Sequence, residues 1–166
     1  MKNKVLVCLA LLSGLAVQAL AQHPNPTISY LEIYDVESRT HRVIKEFPFV
    51  VEAPNWTPDG KWLVVNRGGK LYKIAPDGST DLQEINTGSI VGCNNDHVIT
   101  VDGKWIGISS NDPANRQYSS YVYIVPFEGG EPRKLTPLGP SYLHGISPDG
   151  KTVAYCAFRG PDQEQD

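Results

Sequence analysis

The feature that most constrains the fold is a short segment that the chain repeats. It first appears from Asn55 to Asn66, and weaker copies run from Val98 to Ser109 and from Gly145 to Cys156. The aspartates shared by these copies are 43 and 47 residues apart along the chain. A period of that length is typical of the four-stranded blades of a β-propeller. The repeat therefore predicts an all-β fold of antiparallel four-stranded blades.

Each copy also has a local meaning in turn chemistry. In Ser147-Pro148-Asp149-Gly150 the proline presets φ for a type I turn, the serine can accept a hydrogen bond, and the glycine takes the left-handed position. The flanking residues are short β-branched or aromatic runs, which favour strands over helices. Each copy is thus predicted to be a hairpin, with structural turn residues at Asp59, Gly60, Asp102, Gly103, Asp149 and Gly150.

The strand pattern divides the chain into repeats of unequal completeness. The predicted units are a linker at 22–27, an outer hairpin at 28–46, complete blades at 53–88 and 95–137, an inner hairpin at 142–158 and a polar tail at 159–166. These units supply about three blades' worth of strands, whereas propellers close with four to eight blades. An open arc is therefore expected, and the chain is predicted to be a fragment of a longer propeller.

The N-terminus has the features of a leader. Residues 1–21 combine two early lysines, an apolar run and a small-residue ending, which predicts a signal peptide cleaved after Ala21. No later stretch approaches the roughly 20 apolar residues of a transmembrane helix. The chain is therefore expected to be periplasmic or secreted, without a transmembrane segment.

The charge balance excludes one class of partner, and the cysteine positions bear on disulfide formation. The chain holds 15 Lys and Arg residues against 18 Asp and Glu residues, with no basic cluster that could neutralise phosphates, so nucleic acid is not an expected partner. Cys93 and Cys156 lie at different points of their repeats. Two separate buried thiols are therefore favoured, and a disulfide between them stays open.

The motifs of this chain resemble those of a known family. Trp56-Thr57-Pro58-Asp59-Gly60-Lys61 and Ile146-Ser147-Pro148-Asp149-Gly150-Lys151 each precede an apolar strand, and strands with a central tyrosine follow at 70–74 and 121–125. This pattern is similar to the WD-like, PD40-type propeller repeats of the TolB family. The resemblance implies a periplasmic propeller that works through protein contacts and has no catalytic residues.

Two other propeller families use similar repeats. The propellers of prolyl-oligopeptidase-type serine peptidases accompany an α/β-hydrolase whose nucleophile lies in Gly-x-Ser-x-Gly, and that motif does not occur here. A resemblance to oligogalacturonate lyases would imply a divalent metal held by histidines inside the propeller. That alternative would make the chain a metal-dependent carbohydrate-active enzyme.

Two histidines give the metal alternative its candidate residues. His97 and His144 each stand five residues before a repeat aspartate, so repeat symmetry predicts that both reach the central channel from the same side. Imidazole is a common ligand of zinc and manganese, and Asn94, Asn95 and Asp96 could add oxygen ligands or bind a polar guest. Two histidines are fewer ligands than such a site needs, so hydrogen bonding to neighbouring backbone is the favoured reading.

The function favoured by the sequence is a non-catalytic binding module of the cell envelope. Its expected partners are envelope proteins or a small polar or carbohydrate ligand, bound at the channel and at projecting loops. No cofactor is predicted, apart from the divalent metal that the lyase-like alternative would require.

Overall fold

A computed structural model describes residues 27–112 and 120–160, and every regular element in these ranges is a β-strand. The strands in the described residues are β1 (Ser29–Asp35), β2 (Thr40–Phe47), β3 (Glu52–Trp56), β4 (Leu63–Arg67), β5 (Lys70–Ile74), β6 (Gln83–Ile85), β7 (Cys93–Ile99), β8 (Trp105–Asn111), β9 (Ser120–Pro126), β10 (Arg133–Lys134), β11 (Ser141–Ile146) and β12 (Val153–Ala157). The predicted all-β class is confirmed.

The strands form four antiparallel sheets in chain order. The order β3-β4-β5-β6 makes one four-stranded sheet, here called the first blade, and β7-β8-β9-β10 makes the second blade. The leading hairpin is β1-β2 and the trailing hairpin is β11-β12, each a sheet of two strands. This arrangement is an incomplete propeller with an open arc, as the repeat predicts.

Apolar side chains hold each sheet against the next. Leu31 and Phe47 of the leading hairpin pack with Leu63, Val65 and Ile74 of the first blade. A second cluster joins the first blade to the second, and its buried members are Val64, Leu71, Ile85, Cys93, Ile106, Ile108, Val125 and Phe127. Because side chains alternate between the two faces of a strand, Val65 packs in the first of these clusters and Val64 packs in the second. The central strand of the first blade is therefore apolar on both faces.

The trailing hairpin packs on the second blade through a close approach. A Cβ atom placed on Gly107 would lie 2.6 Å from Leu143 Cδ2 and 2.9 Å from Ile146 Cδ1. The backbone N–H of Leu143 donates to Ser109 Oγ at 2.7 Å. Gly107 thus leaves room for the trailing hairpin at the centre of the second blade.

Several predicted segments lie outside the described residues. They are the signal peptide at 1–21, all but the last residue of the linker at 22–27, residues 113–119 within the predicted blade at 95–137, and residues 161–166 of the tail. Within the ranges that are described, no helix is long and apolar enough to cross a membrane.

Candidate functional site

The hairpin turns of the repeat share one hydrogen-bond pattern. In the first turn, the Thr57 hydroxyl donates to Asp59 Oδ1 at 2.6 Å and accepts from the Trp62 backbone N–H at 3.0 Å. Asp59 Oδ1 also accepts from the Lys61 backbone N–H at 3.1 Å. The aspartate is thus part of the turn itself, with its carboxylate saturated by local donors.

The other two turns repeat this pattern although their sequences differ. Thr100 and Asp102 form the same hydroxyl–carboxylate bond at 2.6 Å, and so do Ser147 and Asp149. The glycines at the closing position have φ values of 72°, 70° and 72° (Gly60, Gly103 and Gly150). Val101 replaces proline in the second turn, and the hydroxyl and the glycine suffice to form it.

These bonds keep the turn carboxylates ionised. The neighbouring hydroxyl, followed by the backbone N–H two residues on, lowers the pKa of Asp59, Asp102 and Asp149. Lys61 Nζ lies 3.4 Å from Asp59 Oδ2, and Lys151 Nζ lies 3.8 Å from Asp149 Oδ2. The turns therefore present charged groups of both signs to solvent.

Neighbouring turns enclose two grooves, and this surface is here called the turn face. The larger groove, about 550 Å³, lies between the first and second turns and continues to Phe127 and Glu128. The smaller, about 210 Å³, lies between the second and third turns and is lined by Trp105 and Asp149. Val101 borders both grooves, and 63% of its surface is exposed.

A lysine joins two blades beneath the larger groove. Lys73 Nζ lies 5.1 Å from the ring centroid of Trp62 and 5.1 Å from that of Phe127. Both distances are within the reach of a cation–π interaction, and Glu128 stands 4.0 Å from the same ammonium group. Since Lys73 and Trp62 belong to the first blade and Phe127 follows β9, these contacts link the two blades at side chains that line the groove.

The structure places His97 at the boundary between the blades, where it is only 3% exposed. Its Nε2 lies 3.2 Å from the backbone carbonyl oxygen of Val64. The neutral tautomer with its proton on Nε2 donates a hydrogen bond to that oxygen. Burial lowers the pKa of the His97 imidazole, against smaller raising effects of Val64 and Asp96. His97 is therefore a neutral side chain packed between the first and second blades.

His144 occupies a different environment, so the predicted equivalence of the two histidines is wrong. In the second blade, His97 pairs with Ile108 of β8. The residue of the trailing hairpin equivalent to Ile108 is Tyr155, and it pairs with Leu143 and not with His144. His144 falls in a β-bulge and is exposed. Because one extra residue in a strand reverses which face the next side chains take, the bulge separates the two histidines.

The other proposed ligands also make local contacts. Asn94 Oδ1 accepts from the Asp96 backbone N–H at 2.9 Å, and Asn95 is exposed. Across residues 27–112 and 120–160, no group of three or more His, Cys, Asp or Glu side chains is placed to hold a metal ion. The described residues thus do not bring the five predicted channel residues together as a ligand set.

Sequence reasoning missed the apolar members of the turn face. Trp56 and Trp105 are 50% and 41% exposed, while Trp62 packs against the inter-blade core. Cys93 and Cys156, the cysteines among the described residues, are both free, but Cys156 is exposed rather than buried. Trp62 and Trp105 both stand three residues after a repeat aspartate, so sequence position alone does not distinguish the covered tryptophan from the exposed one.

Comparison with known proteins agrees with this architecture. An uncharacterized protein of Agrobacterium fabrum is 42% identical over 131 residues, which are 79% of this chain and 44% of the relative. The solved structure of a protein assigned as TolB from Agrobacterium tumefaciens is 42% identical, with a TM-score of 0.72 over 80% of this chain and 46% of that one. This chain is a TolB-like β-propeller repeat protein.

More distant similarities place the TolB-like chain within the wider propeller fold. TolB from Acinetobacter baumannii superposes with a TM-score of 0.63 at 20% identity, over 80% of this chain and 33% of that one. The tricorn protease gives 0.54 at 17% identity, over 76% of this chain and 13% of that one. Identities this low show the fold alone.

One further relative shares only part of the TolB-like chain. A protein assigned as dipeptidyl-peptidase 5 from Emericella nidulans is 33% identical over 87 residues, 45% of this chain and 12% of the relative. No protein-family profile matches the chain. The chain spans less than half the length of each of these relatives.

Proposed function

We propose that this TolB-like propeller is an exported, non-catalytic module that binds a protein partner in the cell envelope. The observation that carries this proposal is the turn face, where grooves of about 550 and 210 Å³ lie side by side. Exposed Val101 and Trp105 contribute apolar surface there, beside the ionised carboxylates of Asp102 and Asp149. Apolar anchors within a polar rim are typical of protein interfaces.

Two observations bear on the cellular location of the protein. The predicted signal peptide at 1–21 and the similarity to TolB proteins both favour a periplasmic or secreted protein. A small polar or carbohydrate ligand could enter the larger groove, but the exposed apolar side chain of Val101 at its edge favours a polypeptide.

An affinity experiment tests the interaction at this surface. The tagged chain is expressed with its leader in its source organism, and bound proteins are recovered from envelope extract and quantified by mass spectrometry. Val101→Asp places a charge at the rim shared by both grooves and should reduce recovery of a specific partner at least about tenfold, as expected for an interface anchor worth about 1.4 kcal/mol or more.

Val91→Asp is the matched control. Val91 is also an exposed valine, 55% accessible, but it precedes β7 and lies beside Gly69 in the turn between β4 and β5, at the opposite end of β4 from the repeat turn. The control should retain the partner at the level of the unmodified chain. Equal recovery with Val101→Asp, or no partner above background with the unmodified chain, would contradict the proposal.

A further inference from the structure

Asp102 differs from the other two repeat aspartates in its ion pairing. In the first turn Lys61 Nζ lies 3.4 Å from Asp59 Oδ2, and in the third turn Lys151 Nζ lies 3.8 Å from Asp149 Oδ2. Among the described residues, no lysine, arginine or histidine nitrogen lies within 4.0 Å of the Asp102 carboxylate. In this part of the chain, the second turn therefore presents a carboxylate without a close cation.

The hydrogen bonds of Asp102 are confined to one of its two carboxylate oxygens. Oδ1 accepts from the Thr100 hydroxyl at 2.6 Å and from the Lys104 backbone N–H at 3.0 Å. Oδ2 has no hydrogen-bond partner among the residues that the structure describes. Because Asp102 is exposed, this second oxygen can accept a charge-assisted hydrogen bond from another molecule.

Asp102 lies where the two grooves of the turn face meet. It lines both of them together with Val101, which is 63% exposed. Every residue that lines the larger groove belongs to a turn of the first or the second blade, so two complete blades form this groove. An exposed apolar side chain and an unpaired carboxylate therefore stand side by side at its edge.

The charges along the larger groove favour a cationic occupant. Its lining includes three carboxylates, those of Asp59, Asp102 and Glu128, and one ammonium group, that of Lys61. Lys73 approaches Glu128 only to 4.0 Å, and its side chain is 19% exposed, against 86% for Glu128. The groove therefore presents an excess of negative charge to solvent, and the complementary charge on a partner is positive.

The positions of these carboxylates favour a polypeptide over a metal ion. Across residues 27–112 and 120–160, no three His, Cys, Asp or Glu side chains are grouped so that they could hold one ion. A peptide segment carries cationic and apolar groups on separate side chains, which matches a carboxylate beside the exposed Val101. Arginine is also enriched at protein interfaces.

We propose that the partner of the turn face inserts a lysine or arginine side chain into the larger groove, where it pairs with Asp102 Oδ2, and packs an adjacent apolar side chain on Val101. This inference rests on the proposed function, since it assigns the chemistry of the segment that the turn face binds. The partner segment is therefore basic and carries an aliphatic or aromatic residue next to the basic one.

Asp102→Asn removes the charge and retains the turn. Asparagine keeps a carbonyl Oδ1 that accepts from Thr100 and Lys104. Asp77→Asn is the matched control, because Asp77 also precedes a turn glycine and accepts from the Ser79 backbone N–H at 2.9 Å, but lines neither groove. The two variants change the net charge of the chain equally.

Short peptides serve as the probe. A phage-displayed library of random peptides is selected on the purified chain, and clones that bind Val101→Asp equally well are discarded. The remaining peptides should contain a lysine or arginine next to an aliphatic or aromatic residue. Fluorescence anisotropy at about 0.1 M salt should show binding weakened about fivefold by Asp102→Asn and less than about twofold by Asp77→Asn. At about 1 M salt, Asp102→Asn and the unmodified chain should bind with similar affinity, because salt screens a charge pair.

Three outcomes would overturn the pairing with Asp102 and leave the turn face as a binding surface. They are Val101-dependent peptides that lack basic residues, equal affinity of these peptides for Asp102→Asn and the unmodified chain, and a loss of the same size at both salt concentrations. The absence of any Val101-dependent peptide would overturn this pairing and the protein-binding role of the turn face together.

Discussion

The imidazole of His97 meets the backbone carbonyl oxygen of Val64 at 3.2 Å across the boundary between the two complete blades. Asn55 adds a second polar contact at this boundary, donating from Nδ2 to the His97 carbonyl oxygen at 3.1 Å. Both bonds lie beside an apolar core, where an unpaired carbonyl would be costly. His97 thus fixes the register of one blade on the next.

Stability should fall with mild acidification because of this contact. The folded state lowers the pKa of His97, so the unfolded chain binds its proton more readily. The contribution of His97 is fully present above the unfolded pKa of about 6.5 and is lost as the pH falls from there toward the folded value. Urea denaturation at about pH 7.5 and pH 5.5 measures the loss.

His97→Gln is the control for that titration, because glutamine keeps an N–H donor for Val64 and does not titrate. Its unfolding free energy should change less than that of the unmodified chain between the two pH values. The turn aspartates do not interfere, because their lowered pKa values confine their effect to more acidic solution. Identical losses in the two proteins would contradict the assignment.

The turn hydroxyls should contribute to stability through the hydrogen bonds that each of them makes. Thr100→Val removes the acceptor of the Trp105 N–H and the donor to Asp102, and should cost about 1–3 kcal/mol. Thr100→Ser keeps the hydroxyl, as the third turn does with Ser147, and should cost less than about 1 kcal/mol. Carboxyl NMR titration should show the pKa of Asp102 rising toward its ordinary value in the valine variant alone.

The close approach at Gly107 gives a prediction about packing. Gly107→Ala places a Cβ among the ends of Leu143 and Ile146, and should destabilise the chain by about 1–3 kcal/mol. Gly145→Ala is the matched control, since its nearest neighbour would be 3.9 Å away, and should change stability by less than about 0.5 kcal/mol. Adding Leu143→Val to Gly107→Ala should restore part of the loss, and strictly additive effects would argue against this contact.

The two free thiols should differ in their chemistry. Burial raises the pKa of Cys93 to about 11, so little thiolate exists near pH 8, and the side chain is 4% exposed. Iodoacetamide labelling followed by peptide mass spectrometry should leave Cys93 unmodified in the folded chain and label it in urea. Labelling of Cys93 at the same rate in both conditions would show that this core is open.

The sequence predicts most of the fold because the repeat turn is a local structure. In each copy the hydroxyl, aspartate and glycine form the turn from residues that are neighbours in the chain, so Asp59, Asp102 and Asp149 could be identified without tertiary information. The strands on either side follow from their β-branched and aromatic composition. The blade order then follows from the period.

The channel residues could not be predicted in the same way, because bulges interrupt the first strands of both blades and of the trailing hairpin at different points. The irregularity precedes His97 in β7 but includes His144 in β11. No local residue pattern marks these positions, since the packing of each strand on the neighbouring blade determines them. The exposure of Cys156 likewise depends on which strands lie beside β12, which a local motif does not encode.

Photo-crosslinking in the envelope tests directly whether the turn face binds a protein partner. A photoreactive amino acid is introduced in place of Val101, between the two grooves, and separately in place of Val91, beside the turn between β4 and β5. We predict a discrete crosslinked protein partner from position 101 and none from position 91. Crosslinks of equal intensity from both positions, or none from position 101, would contradict it.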